Sequence, residues 1–149
     1  MRALAEQMIT CLGGQGPILM YTSYERTVIQ GMADMFPDIA ESLEKIINRL
    51  WDLKPVVKEN YYHPNMLGSW SIKAVLPCIA PHMNYAELQG ISEGMGASDG
   101  FVEAIGIGPE GPPTEDRKLE LEEQLRRYCR FDTEAMVEIV RFFTTSTSH

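Results

Sequence analysis

Tyr128 and Asp132 stand four residues apart in the stretch Tyr128-Cys129-Arg130-Phe131-Asp132-Thr133. On a helix that spacing puts both side chains on one face, one turn apart. A carboxylate so placed can hold a divalent cation through oxygen. The phenol beside it can hydrogen-bond a water bound to that cation. The plainer reading makes Tyr128 a half-buried helix tyrosine and Asp132 a cap. Two further acids, Glu25 and Asp52, stand out by context. Glu25 comes just past a predicted strand, in Tyr21-Thr22-Ser23-Tyr24-Glu25, and Asp52 ends a second one. Ligands of open parallel sheets gather at the carboxyl ends of the strands. Carboxylates converging there would suit Mg²⁺, which prefers oxygen ligands. Taken singly, Glu25 also reads as a first-turn helix acid and Asp52 as a turn residue.

These residues need elements to hold them. Leu4, Met8, Cys11 and Leu12 recur at helical spacing and Gly13-Gly14 stops the pattern, which predicts a helix over 2–12. Ile18-Leu19-Met20-Tyr21 reads as a short buried parallel strand. A helix from Tyr24 carries Val28, Ile29, Met32 and Met35 on one face and ends at Pro37, with Asp38 as the cap of the next. That next helix shows Ile39, Leu43, Ile46, Ile47 and Leu50. It gives way around Arg49–Leu53 to a second strand, which Pro55 closes. Residues 60–68 form an aromatic loop, and Ser69 is placed to cap a short helix bearing Ile72, Val75, Leu76 and Ile79. Pro77 and Pro81 are expected to kink or end it. Residues 90–113 hold seven glycines and three prolines, and 106–114 reads as a surface loop. Phe101, Val102 and Ile105 suggest one short helix before it. Thr114 begins a helix running through Leu119, Leu121 and Leu125 to Tyr128, with Glu115 and Asp116 in its first turn. Asp132 follows that helix. A separate last helix carries Met136, Ile139, Val140 and Phe143, and 144–149 is a frayed tail.

Composition limits the choices. A chain of 149 residues is about one domain, long enough for one core. No run approaches the roughly 20 apolar residues of a membrane helix, and the start does not read as a signal peptide. Cys11, Cys78 and Cys129 are odd in number and far apart, which argues against a disulfide framework or a zinc site and points to a reducing cytoplasm. The net charge of −8 opposes nucleic-acid binding in bulk, so such binding would need a local basic patch or a metal.

Three segments carry a resemblance. They are Ile18 to Glu25; Arg49 to Leu53 with Tyr62-His63-Pro64 and Gly68-Ser69-Trp70-Ser71-Ile72-Lys73-Ala74-Val75-Leu76-Pro77; and Tyr128 to Val137. Together they resemble the C-terminal part of an uncharacterised bacterial domain family related to the DEDD-type, ribonuclease-H-like 3′–5′ exonucleases. The Tyr-x-x-x-Asp element at 128–132 resembles the third exonuclease motif in its tyrosine form, and Glu25 falls where the second motif's acid would be. The resemblance implies phosphodiester hydrolysis by two Mg²⁺ (or Mn²⁺) ions about 4 Å apart. It implies Glu25 and Asp132 as metal ligands, Tyr128 as the residue orienting the attacking water, and Asp52 in support. Arg126, Arg127 and Arg130 would then meet nucleic-acid phosphate, although an exposed helix face explains them equally well. The sequence departs from that pattern in two places. Tyr21 stands four residues before Glu25, where the second motif has Asn, and no Asp-x-Glu falls on a predicted strand.

The reading that results is a single helix-rich α/β domain over 1–149. It is a partial ribonuclease-H-like fold with about two short parallel strands and its first three strands missing. Its expected function is that of a fragment of a metal-dependent 3′–5′ exonuclease-like domain, inactive as this chain alone. The alternative is a non-catalytic protein-interaction module. A weaker third reading is a helical domain whose carboxylates are all surface caps. Ile18, Leu19 and Met20, with the apolar side of the 2–12 helix, are expected to leave an uncovered patch. That patch would pair with a second copy or with an upstream domain of a longer chain.

Overall fold

A computed structural model of the chain describes residues 1–88 and 96–146. They form seven helices and one two-stranded parallel sheet, a helix-rich α/β architecture as the residue patterns predict. The chain divides into two compact units, Met1–Tyr62 and His63–His149.

The first unit holds α1 (Arg2–Leu12), β1 (Ile18–Met20), α2 (Tyr24–Met35), α3 (Ala40–Ile47), β2 (Leu50–Asp52) and α4 (Leu53–Asn60). The strands pair in parallel with Ile18 opposite Leu50, Leu19 opposite Trp51 and Met20 opposite Asp52. A parallel pair needs a long crossover, here supplied by α2 and α3. Their apolar faces meet around Ile29, Met32, Ala33, Leu43, Ile46 and Ile47, with Ala5 of α1 buried among them. Burying one such aliphatic side chain contributes roughly 1.5–3 kcal/mol, so this cluster carries the unit. Arg49 fastens the entry to β1 by donating to the carbonyl oxygens of Gly16 (2.7 Å) and Leu12.

Local details differ from the sequence expectations. Asp38 does not cap α3, whose N-cap is Ile39. Both Asp38 oxygens instead accept from the Arg2 guanidinium, because a bidentate partner outcompetes a cap bond. Pro55 does not close the region after β2. It is the third residue of α4, where its missing N–H is not needed. Met35, the last residue of α2, is 60% exposed rather than buried with Ile29 and Met32 of its stripe.

The second unit holds α5 (Ile72–Ile79), α6 (Ala97–Ala104) and α7 (Glu115–Ser146), with single 3-10 turns at Pro64–Met66 and Tyr85–Glu87. Helix α5 is capped at Ser71 rather than Ser69, which accepts the Ser71 N–H instead. Pro77 lies inside the helix and does not stop it, and Pro81 follows its end. Thr114 opens α7 as predicted, its hydroxyl accepting the Arg117 N–H at 3.3 Å. The two predicted C-terminal helices are one. Helix α7 runs unbroken for 32 residues, and Asp132 sits within it rather than after it. No Gly or Pro interrupts 115–146, and Asp in a helix interior costs only a few tenths of a kcal/mol, roughly, over better helix formers. Residues 144–146 of the expected frayed tail are helical, and the remainder of it, 147–149, lies outside the described residues. The loop over 105–114 turns through Gly106 (φ 75°) and Gly111 (φ 77°). At Gly106 a Cβ would also come within 3.3 Å of Pro112.

Candidate functional site

The continuity of α7 puts Tyr128 and Asp132 on one face of a helix, as their spacing requires. That face packs against α5 and the turn at Tyr85. The local cause is a short turn held at Asn84, whose side chain accepts the Ala86 N–H at 3.0 Å. The turn drives Tyr85 into a small core with Leu76, Ala80 and Ala135. There the Tyr85 hydroxyl donates to Asp132 Oδ1 at 2.5 Å. Its ring lies 4.8 Å from that of Phe131, nearly edge-on, and 6.0 Å from that of Tyr128. Lys73, in the first turn of α5, brings its Nζ within 5.5 Å of the Tyr85 ring centre and 5.6 Å of the Tyr128 ring centre. A cation over an exposed ring contributes about 0.5–1 kcal/mol, a modest hold on a flexible side chain.

Burial pushes the Asp132 carboxyl above the usual range. The Tyr85 hydrogen bond and the Lys73 charge oppose that rise without cancelling it. Burial likewise pushes up the Cys129 thiol, and the charge of Asp132 adds to it. A thiol raised in this way is less available as the thiolate. Among the described residues, Asp132 Oδ2 receives no hydrogen bond. The arrangement offers one open carboxylate oxygen, one phenol and one ammonium on a common face.

The three arginines face elsewhere. At about 100° per residue, Arg126 and Arg130 lie roughly opposite the Tyr128–Asp132 face, and Arg127 lies well to its side. All three are exposed, and Arg130 is paired with Glu134 at 2.8 Å. Glu25 and Asp52 belong to the first unit. Glu25 is exposed in the first turn of α2, at the rim of an apolar groove of about 220 Å³ lined by Met8, Leu12, Ile18, Leu19 and Val28 among others. Asp52 is a structural clamp. Its Oδ1 accepts the Lys54 N–H as the N-cap of α4 (2.9 Å) and also the Thr22 N–H (3.0 Å). Thr22 holds φ at 96°, a conformation unusual for a side-chain-bearing residue. Such a backbone persists only where neighbours fix it, and Asp52 does so here. The Tyr21 hydroxyl is pushed up to about 12 by burial, with the Asp52 charge adding to it.

Mg²⁺ demands near-octahedral oxygen ligation. Within neither unit, among the described residues, do three His, Cys, Asp or Glu side chains gather to provide it.

The sequence reading missed Tyr85 and Lys73. Lys73 stands inside the quoted Gly68–Pro77 segment, so its neighbourhood was marked but its role was not. Tyr85 carries no local signal, since it meets Asp132 across 47 positions of chain.

Residues 1–71 match DUF2779, a domain of unknown function. The match takes in the whole first unit and the Gly68–Ser71 start of the distinctive segment, and it ends before Lys73, Tyr85, Tyr128 and Asp132. It supports similarity to an uncharacterised domain family over slightly less than half of the chain. No curated protein and no solved structure matches. Among the described residues, no helix is long and apolar enough to cross a membrane.

Proposed function

We propose that this chain is the nucleic-acid-directed part of a ribonuclease-H-like, 3′–5′ exonuclease-type domain, and that alone it binds a single strand without cleaving it. One observation carries the reading. Tyr128 and Asp132 share a face of α7, and Asp132 is held by Tyr85 with one oxygen left open. This is the pairing of phenol and carboxylate that the third exonuclease motif requires. Inactivity follows from ligand count, because Glu25 and Asp132 are two acids where the exonuclease pattern has four, and two carboxylates cannot hold and neutralise a pair of divalent ions. The test uses the full chain with 5′-labelled single-stranded DNA and RNA in Mg²⁺ or Mn²⁺. The expected result is binding with no hydrolysis above background. Cation-dependent digestion that vanishes in Asp132→Ala would overturn the inactivity. Failure to bind either strand would remove the nucleic-acid reading.

A second reading, a protein-interaction module, is favoured by a different observation. In the first unit the sheet has only two strands among the described residues, and the Leu19–Val28 groove beside it is almost wholly apolar. Open strand edges and apolar grooves recruit partners. Sedimentation over a concentration series should show association that Leu19→Lys abolishes. A sharp monomer at every concentration would count against this reading.

A further inference from the structure

The sequence nominates three arginines as phosphate contacts, and the helix turns all of them away from the Tyr128–Asp132 face. One cation does lie on that face. We propose that Lys73 is the phosphate-binding residue of the site, its ammonium meeting the backbone of a single nucleic-acid strand beside Tyr128. The inference rests on the nucleic-acid reading above and assigns that reading its cation.

Position is the first ground. Lys73 is exposed, yet its Nζ is drawn over the rings of both Tyr85 and Tyr128, and its charge reaches Asp132. The second ground is availability. Arg2, Lys45, Arg117, Arg130 and Arg141 all form ion pairs with carboxylates, whereas among the described residues Lys73 forms none. Asp132, whose one hydrogen-bond partner is the Tyr85 hydroxyl, forms no ion pair with it and feels only its charge. The third ground is local electrostatics. The first turn of a helix is the positive end of its dipole and disfavours a cation, so Lys73 does not serve α5. Lysine binds phosphate as a compact point charge, without the planar geometry that arginine imposes. Tyr85 is buried, so the half-buried Tyr128 is the ring beneath it that offers aromatic surface to a sugar or base while the phosphate meets the ammonium.

The experiment is fluorescence anisotropy of the full chain with a fluorescein-labelled oligo(dT), without divalent cations, over a series of salt concentrations. Lys73→Gln should bind several-fold more weakly. Its log–log salt slope should fall in magnitude by about 0.7, the value for one lost phosphate contact on a single strand. Lys73→Arg should keep the slope, and Lys45→Gln, an exposed lysine on α3, should behave as wild type. If Lys73→Gln lowers the melting temperature but leaves the slope unchanged, Lys73 is only a packing cation and the proposal fails. A second measurement separates this failure from that of the underlying reading. It is a dTMP titration followed by the amide resonances of residues 72–75. Shifts that need Lys73, in a chain that does not bind oligo(dT), keep the phosphate site and remove the strand. No shifts and no oligo(dT) binding remove both.

Discussion

In the first unit the Asp52 carboxylate meets two backbone amides, those of Thr22 and Lys54. In the second, Asp132 meets one side-chain hydroxyl, that of Tyr85, within a cluster of two tyrosines, a phenylalanine and a lysine. Both acids are part-buried and both arose as site candidates on similar grounds. Their partners separate them. An acid bonded to backbone at a strand end fixes the chain path, and its contribution is to stability. An acid held by one side chain, with an oxygen open and a cation nearby, keeps capacity for a ligand. The identity of the donor therefore says more about a buried carboxylate than its burial does.

The sharpest way to break this contrast is to remove Asp52. Asp52→Ala deletes a helix cap, typically worth about 1 kcal/mol, and leaves the Thr22 amide short of a partner at a further cost of roughly 1–3 kcal/mol. We expect a loss of about 2–4 kcal/mol in urea unfolding of the first unit. An unchanged midpoint would mean that Asp52 is not a clamp.

Tyr21 tests the same corner by pH. Its folded value is raised to about 12 from an ordinary 10.0, so the protonated phenol is favoured in the fold. That contribution is fully present below pH 10 and is lost as pH rises through 12. The wild-type chain should lose on the order of 2 kcal/mol across this window that Tyr21→Phe does not lose. Parallel alkaline curves for the two proteins would refute the assignment.

The smallest expected effect is in the second unit. Tyr85→Phe keeps the ring packing and removes one hydrogen bond to a carboxylate, about 1.5 kcal/mol, the low end for a bond to a charged group because Asp132 is only part-buried. Chemical unfolding measures it. A loss as large as that of Asp52→Ala would show that Asp132, too, is held chiefly for stability, and would erase the distinction between the units.

Local signals located α1, β1, α2, α3, β2, α5, α6 and the start of α7, because each declares itself within a dozen residues by apolar spacing, a cap or a breaker. The spacing of Tyr128 and Asp132 likewise fixed their common face, since four residues make one helical turn whatever surrounds them. Tertiary structure decided the rest. Asp38 was drawn from a cap to Arg2, a residue 36 positions away. The break expected near Asp132 did not form, because nothing between Thr133 and Ala135 stops a helix and Ala135 is buried against α5 and Tyr85. Tyr85 reached Asp132, and Lys73 came over both tyrosines, through contacts between segments far apart in the chain. Local sequence encodes backbone preference and periodicity. Which donor meets a given carboxylate is set by packing between distant segments, and no short window of sequence contains that information.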